Sequence, residues 1–230
     1  MLGDGLSMQN KEGENPSETS SRQDLPVECT VTAGQSLTPD EIDILCEVGN
    51  ICMGAVATTM YILLDKRVDI TMPKVSLHAA REFLELYSEP FIAAEVEYVT
   101  GLSGKNLLLL METDALLITN LLMGITFGAE AAEEFDEFRM SAISEITNQM
   151  ISASATALSR IINEAVRISP PVLNRVTADT GLGGNLDAAG MMLIKISFDM
   201  EIEGLLKSKL LQLIPYDVGH DLVEKISALV

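Results

Sequence analysis

The order of apolar and polar residues along the chain predicts helices that alternate with short strands. A long stretch with helical spacing begins at Thr38, where Pro39 and Glu41 complete the signal of a capped helix start. Shorter apolar runs follow, with Pro73 inside the first and a Gly101–Gly104 turn between the last two. The predicted elements of the first half are a helix at 38–64, a strand at 68–77, a short helix at 79–87, strands at 91–100 and 105–111, and a helix at 112–124.

The second half of the chain repeats this order of elements. Its predicted elements are a helix at 136–165, a strand near 172–178, strands at about 190–203 and 205–214, and a final helix at 216–229. A shift of 98 positions brings Glu47 onto Glu145, Asn50 onto Asn148 and Pro73 onto Pro171. Such a repeat predicts an α/β (α+β) fold with a pseudo-two-fold axis, in which long helices pack on one shared, antiparallel-rich sheet.

Each long helix carries three polar residues on one face. In the first helix they are Asp43, Glu47 and Asn50, spaced i, i+4 and i+7. The second helix has Ser141, Glu145 and Asn148 at the same spacing. One interpretation is that both sets are the solvent-facing stripes of amphipathic helices. The other is a functional site in each repeat, which the return of the same Glu and Asn favours.

A glutamate and an asparagine one turn apart have a limited chemistry. An asparagine amide is a neutral donor and acceptor that orients a water molecule, and a glutamate offers a negative charge to a lysine or arginine. With no nucleophile, metal cluster or histidine base beside them, they predict a protein that completes the active site of another protein. Phosphoryl hydrolysis needs mainly such positioning of water and stabilisation of charge.

Charge and cysteine content exclude several classes of function. The 230 residues carry a net charge of −19, which repels nucleic acid and anionic lipid and favours a basic protein surface as the partner. The three cysteines, Cys29, Cys46 and Cys52, have neither disulfide nor zinc spacing, and Cys46 and Cys52 are predicted to be small core residues. His78 and His220 are predicted to be structural, and no metal site is expected.

The composition also predicts the domain organisation. Residues 1–36 are polar and predict a flexible tail, whereas 37–230 predict one domain of two repeats, about 37–127 and 135–230, joined by an acidic connector at 127–134. The uncharged run from Val48 to Leu64 predicts a buried helix rather than a transmembrane segment. The loop at 181–185 is glycine-rich but lacks the lysine of a phosphate-binding loop.

The two polar triplets, extended to the prolines, resemble the signature of a known family. The pattern Asp/Ser-x3-Glu-x2-Asn-x22-Pro occurs as Asp43, Glu47, Asn50 and Pro73, and again as Ser141, Glu145, Asn148 and Pro171. This is similar to the CheC, FliY and CheX phosphatases of bacterial chemotaxis. Over residues 37–230 the sequence most resembles the middle domain of the FliY type, the flagellar motor switch phosphatases.

The resemblance implies a function and roles for these residues. Family members dephosphorylate the response regulator phospho-CheY, so Glu47 and Glu145 would pair with a lysine of CheY, and Asn50 and Asn148 would orient the attacking water. Asp43, Ser141, Pro73 and Pro171 would support the sites. No cofactor is expected on this chain, because CheY supplies its own Mg²⁺.

The resemblance also implies partners and a location. The expected partners are the switch proteins FliM, FliG and FliN-like proteins, with a CheD-type deamidase if the chain acts as CheC does. The expected location is the cytoplasmic face of the flagellar basal body. The alternative is a non-catalytic, FliM-like scaffold domain of the switch.

Two features depart from the FliY pattern. FliY proteins usually continue into a FliN-like domain, whereas this sequence stops at Val230. Leu6-Ser7-Met8-Gln9 matches only the start of the CheY-binding peptide of FliY, and the segment that begins at Leu37 matches it better but heads the first signature helix.

Overall fold

A computed structural model describes residues 35–125, 135–188 and 190–229. The predicted tail therefore lies almost wholly outside the described residues, as do the 127–134 connector and the Leu6–Gln9 segment. The first repeat contains α1 (Pro39–Leu64), β1 (Val68–Ile70), β2 (Lys74–Ala79), α2 (Ala80–Glu85), β3 (Phe91–Thr100), β4 (Gly104–Met111) and α3 (Glu112–Leu122). The second contains α4 (Glu137–Ile161), β5 (Arg167–Ile168), β6 (Val172–Val176), a 3-10 turn (Gly184–Asp187), β7 (Met192–Ile202), β8 (Leu206–Pro215) and α5 (Tyr216–Ser227).

The two long helices end at equivalent positions of the repeats. The backbone enters the left-handed region at Asp65, with φ of 48°, and at Asn163, with φ of 53°, which is 98 positions later. Aspartate and asparagine tolerate this conformation better than other residues with a side chain. The prediction that the second helix continues to residue 165 is therefore wrong by four residues, since α4 ends at Ile161.

The strand predicted at 68–77 is divided in two. β1 and β2 are separated by Thr71, Met72 and Pro73. Proline lacks the backbone N–H that a ladder requires and holds its φ near −65°, so the pairing breaks at this point. The second repeat is divided in the same way between β5 and β6, and β5 was not predicted from the sequence.

The strands of the two repeats are exchanged within one antiparallel sheet. Its order is β1-β7-β8-β4-β3-β5, with β2 also on β7 and β6 also on β3. The first two strands of each repeat therefore pair with a strand of the other repeat, and β4 and β8 meet in the middle. The predicted fold class is confirmed.

The register shows the pseudo-two-fold symmetry. Val75 pairs with Ile196, and the equivalent pair is Leu173 with Ala94. Leu173 lies 98 positions after Val75, whereas Ile196 lies 102 positions after Ala94. The repeats thus differ by four residues inserted between β6 and β7, and equivalent residues of β3 and β7 are 102 positions apart.

The core lies on both faces of the sheet. Along β8, Leu210 and Ile214 belong to the cluster beneath α1 and α4, while the alternating Leu211 and Leu213 belong to a second cluster on the opposite face. That second cluster includes side chains from α2 and from the segment that contains Leu186. The described helix α1 is long and apolar enough to span a membrane by length and composition alone. One face of α1 packs on the sheet and on α4, and 39% of its apolar stretch is buried.

Polar contacts also join the repeats. The guanidinium of Arg139, buried in the first turn of α4, donates to Asn120 Oδ1 of α3 at 3.2 Å. At the position 98 residues earlier, Glu41 Oε1 in the first turn of α1 lies 3.1 Å from His220 Nδ1 of α5. Each long helix is therefore linked near its start to the last described helix of the other repeat.

Candidate functional site

The two Glu–Asn pairs lie on the outer faces of α1 and α4. Glu47 and Asn50 are exposed, as is Glu145, whereas Asn148 is half-buried. Both helices bury their opposite faces, with Val48 and Cys52 of α1 and Ile146 and Met150 of α4 in the core. The pairs are therefore accessible to a macromolecular partner and are held on rigid elements.

Local sequence determines where each helix begins. Thr38 accepts a hydrogen bond from the Glu41 N–H at 3.2 Å, and the Glu41 carboxylate accepts one from the Thr38 N–H at 2.7 Å, which completes the predicted capping box. Asp136 caps α4 by accepting from the Arg139 N–H at 2.8 Å. The capping residue of each helix thus lies about three turns or less before the Glu–Asn pair of that helix.

The two residues that precede the glutamates by one turn are also exposed. Asp43 and Ser141 occupy this position, and within the described part of the chain neither forms a hydrogen bond with its glutamate. Asp43 acts electrostatically on its surroundings. Burial, and secondly the Asp43 charge, raise the pKa of the Cys46 thiol.

Pro73 packs against the site helix from below. It is buried, its Cγ lies 3.4 Å from the place that a Cβ on Gly49 would occupy, and its carbonyl oxygen is 3.6 Å from Cys46 Sγ. It therefore contacts α1 between Glu47 and Asn50. Pro171, its equivalent, is half-buried beside β6.

A hydroxyl group fixes each proline segment to the sheet. The Asp199 N–H donates to Thr71 Oγ1 at 3.2 Å, and the Thr71 N–H donates to the Asp199 carbonyl at 2.9 Å. In the other repeat the Glu97 N–H donates to Ser169 Oγ at 2.9 Å, and the Ser169 N–H donates to the Glu97 carbonyl at 2.8 Å. Sequence reasoning missed Thr71 and Ser169, although a hydroxyl residue two positions before each signature proline was a visible signal.

The two sites differ in the packing beneath the asparagine. Gly49 is buried, and a Cβ there would lie 3.2 Å from Phe198 Cζ. The equivalent residue of α4 is Thr147, which is also buried and donates its hydroxyl to the Ile143 carbonyl at 2.8 Å. The residue equivalent to Phe198 in the other repeat is the smaller Val96, which is also buried.

The glutamates differ in their partners. Gln149 Nε2 donates to Glu145 Oε1 at 2.7 Å. The residue equivalent to Gln149 is Ile51, which is 46% exposed and has no donor in its side chain. Among the described residues the Glu47 carboxylate therefore has no hydrogen-bond or ion-pair partner, and the sites are chemically unequal.

Neither cysteine beside the sites is an activated thiol. Cys52 is buried next to Ser154 of α4, and burial raises the pKa of its thiol to about 11. Cys46 is half-buried, and its pKa is raised as well. Cys52 agrees with the prediction of a small core residue, whereas Cys46 lies at the edge of the core. Across the described ranges, no three His, Cys, Asp or Glu side chains are grouped so as to hold a metal ion.

The backbone of the glycine-rich loop at 181–185 donates hydrogen bonds to a carboxylate that follows it in the chain. Asp187 accepts from the Leu182 N–H at 2.8 Å and from the Gly183 N–H at 2.7 Å. Two N–H groups that an external anion would need are therefore already bonded.

Comparison with known proteins identifies the family. The model of the CheC-like family matches residues 41–77 and 138–175, ranges that include both Glu–Asn pairs and both prolines. The crystal structure of FliY from Thermotoga maritima is 34% identical and superimposes with a TM-score of 0.77, covering 84% of this chain and 99% of that one. This chain belongs to the CheC-like family. The resemblance inferred from the sequence is thereby confirmed.

Two further proteins are similar to this CheC-like chain. The flagellar motor switch phosphatase FliY of Bacillus subtilis (strain 168) is 34% identical over 190 residues, which make up 83% of this chain and 50% of that protein. The chain thus spans about half the length of that curated relative. The FliM middle domain of H. pylori has a TM-score of 0.65 at 12% identity and shares the fold.

Proposed function

We propose that this chain is a phosphatase domain that hydrolyses the aspartyl phosphate of the response regulator CheY at the flagellar motor switch. The observation that carries the proposal is the presence of two Glu–Asn pairs on the outer faces of rigid helices, each above a proline segment fixed by the same hydroxyl contact. Three of the four side chains are exposed, and Asn148 is half-buried. Both pairs face outwards, where a folded protein substrate can reach them.

The chemistry of each pair fits an active site shared with the substrate. The Asn50 or Asn148 amide orients a water molecule in line with the phosphorus atom, and the Glu47 or Glu145 carboxylate binds a lysine of CheY. Water attacks phosphorus and the bond from phosphorus to the aspartate oxygen breaks. The products are the aspartate carboxylate and inorganic phosphate, which takes up the oxygen and protons of the water. CheY would supply the Mg²⁺, whose charge would neutralise the phosphoryl oxygens.

The relatives support the proposed location and partners. One is named a flagellar motor switch phosphatase, and FliM middle domains, including one in a FliG–FliM complex, share the fold. We therefore propose that the chain acts at the cytoplasmic face of the flagellar basal body, in contact with FliM, FliG or FliN-like proteins. A CheD-type deamidase is the proposed partner if the chain acts independently of the switch.

The fold similarity to FliM favours a second candidate, a scaffold domain without catalysis. A scaffold requires the shared sheet and helices, but it does not require a Glu and an Asn at equivalent positions on the outer helix faces of both repeats. We propose the enzyme for that reason.

The test is the decay of phosphorylated CheY in the presence of Mg²⁺, with catalytic amounts of the chain. We expect accelerated decay that falls about a hundredfold or more in the Asn50→Ala, Asn148→Ala double variant, because the water is no longer oriented. Each single variant retains turnover at its intact site. Thr58→Ala, on the same exposed face of α1, is the matched control with unchanged activity.

Binding of CheY distinguishes the two candidates. The enzyme predicts that the double variant still binds CheY while turnover is lost. Binding without any accelerated decay by the unmodified chain would favour the scaffold. Loss of all turnover in the Asn50→Ala single variant would contradict the proposal that both sites are active.

A further inference from the structure

The side chain four residues after the signature glutamate differs between the two sites. In α4 it is Gln149, whose amide donates to Glu145 Oε1 at 2.7 Å. In α1 it is the exposed Ile51, which offers Glu47 no hydrogen bond. Within the described parts of the chain, Gln149 is the one side chain that forms a hydrogen bond with either signature glutamate.

The direction of this hydrogen bond orients the carboxylate. Gln149 lies one turn after Glu145, while Asn148 lies on the other side of Glu145 around the helix. The bond from Gln149 therefore fixes the direction of the Glu145 carboxylate along the helix. Oε2 and the second lone pair of Oε1 remain available, so the carboxylate still has room for a lysine of the substrate.

A fixed carboxylate changes the free energy of binding. A free glutamate on a helix surface occupies several rotamers, and a partner that pairs with it must bear the entropy of ordering it. The hydrogen bond from Gln149 orders Glu145 before the partner arrives. Glu47, exposed and without a described partner, is ordered only on binding.

We propose that Gln149 is a positioning residue that preorganises Glu145, and that the α4 site therefore binds the phosphorylated response regulator more tightly than the α1 site. The proposal rests on the proposed function. It assigns to Gln149 an effect on substrate binding and none on the water-attack step, which belongs to Asn148.

The hydrogen bond could instead serve only the helix, since side-chain pairs at this spacing stabilise isolated helices slightly. A purely structural role would change the unfolding temperature and leave KM unchanged. The measurement must therefore separate KM from kcat.

The first arm isolates the α4 site in an Asn50→Ala background and adds Gln149→Met, which keeps the shape but removes the donor. We expect KM for phosphorylated CheY to rise about threefold, with kcat unchanged. The reciprocal arm isolates the α1 site with Asn148→Ala and adds Ile51→Gln, which restores the donor. There we expect KM to fall by a similar factor, a gain that damage to the fold does not produce.

Affinity for CheY carrying beryllium fluoride in place of phosphate provides a readout that does not depend on turnover. We expect Kd to follow KM in both arms. An unchanged or lower KM and Kd in Gln149→Met, or an unchanged Kd in Ile51→Gln, would overturn the proposal. Failure of the proposed function is distinguishable, because both single-asparagine parents would then show no turnover at all.

Discussion

At the scale of single residues, small differences beneath an exposed pair make the two sites unequal. Gly49 admits the Phe198 ring and Pro73 to within 3.2 Å and 3.4 Å of the place of its missing Cβ. In the other repeat the equivalent residues are the larger Thr147 and the smaller Val96, both of which are buried. The residues beneath the two pairs thus differ in a compensating way, because a small helix residue goes with a large strand residue in one repeat and the reverse holds in the other.

Replacing Gly49 by the threonine of the other repeat tests this matching. Gly49→Thr should lower the free energy of unfolding by about 1–3 kcal/mol, because the added atoms press on Phe198 and Pro73. Urea unfolding measures the effect. Gly54→Thr is the control, since a Cβ at Gly54 meets nothing within 4 Å and threonine is slightly the better helix former. Equal effects of the two substitutions would show that Phe198 and Pro73 move to accommodate the added atoms without a cost in stability.

At the scale of elements, short-range signals determine how α1 presents Glu47 and Asn50. The capping box of Thr38 and Glu41 sets the start of the helix, and the left-handed Asp65 sets its end. The cap stabilises the start of the helix, whereas burial of Val48 and Cys52 determines that Glu47 and Asn50 face outwards.

Loss of the cap should cost stability without affecting the chemistry. Thr38→Ala removes the acceptor of the Glu41 N–H and should lower the free energy of unfolding by about 1 kcal/mol. Thr58→Ala provides the comparison, because its hydroxyl bonds to the Gly54 carbonyl inside the helix. Alanine is a better helix former there, so that variant should be neutral or more stable by about 0.5 kcal/mol. Denaturant midpoints that change equally in both variants would contradict the role of the cap.

At the scale of the whole molecule, the two repeats are interlocked. Strands β1 and β2 pair with β7 of the other repeat, and Glu41 links the start of α1 to His220 of α5. Neither repeat completes its own sheet, so we infer that they fold as one cooperative unit.

The Glu41 contact makes part of this stability depend on pH. The hydrogen bond from the Thr38 N–H is the main cause that holds the pKa of Glu41 below its ordinary value of 4.5, with smaller contributions from the Thr38 hydroxyl and from His220. The unfolded chain then takes up a proton at Glu41 more readily than the folded chain. The stabilising contribution of the Glu41 carboxylate is therefore fully present above pH 4.5. It is lost as the pH falls through the lower pKa that Glu41 has in the folded chain.

Glu41→Gln should weaken this acid dependence. Glutamine at this position still completes a capping box, so the variant remains folded at neutral pH. Urea midpoints measured from neutral pH to below 4.5 should fall less steeply with acid than in the unmodified chain. Glu85→Gln, an exposed glutamate at the end of α2, is the control for the loss of one carboxylate. Parallel pH profiles for Glu41→Gln and the unmodified chain would contradict the assignment.

The positions of the helices and most strands were predictable because the signals are local. Caps and helical spacing involve residues within a few turns of one another, and the 98-residue repeat is visible as matching residues. These signals alone place Glu47 and Asn50 on one face of a helix. The two-residue β5 escaped prediction because a strand so short has no periodicity of its own.

The sequence by itself determined the duplicated order of elements, the paired Glu–Asn positions and the resemblance to the CheC-like family. Only the tertiary structure decided which strands pair between the two repeats, because hydrogen bonds between distant segments follow no local rule. It also revealed the contacts of Thr71 with Asp199 and of Gly49 with Phe198, which join residues more than a hundred positions apart. These contacts hold the proline segment of the first repeat beneath its helix, and the packing energy of the folded sheet keeps them in place.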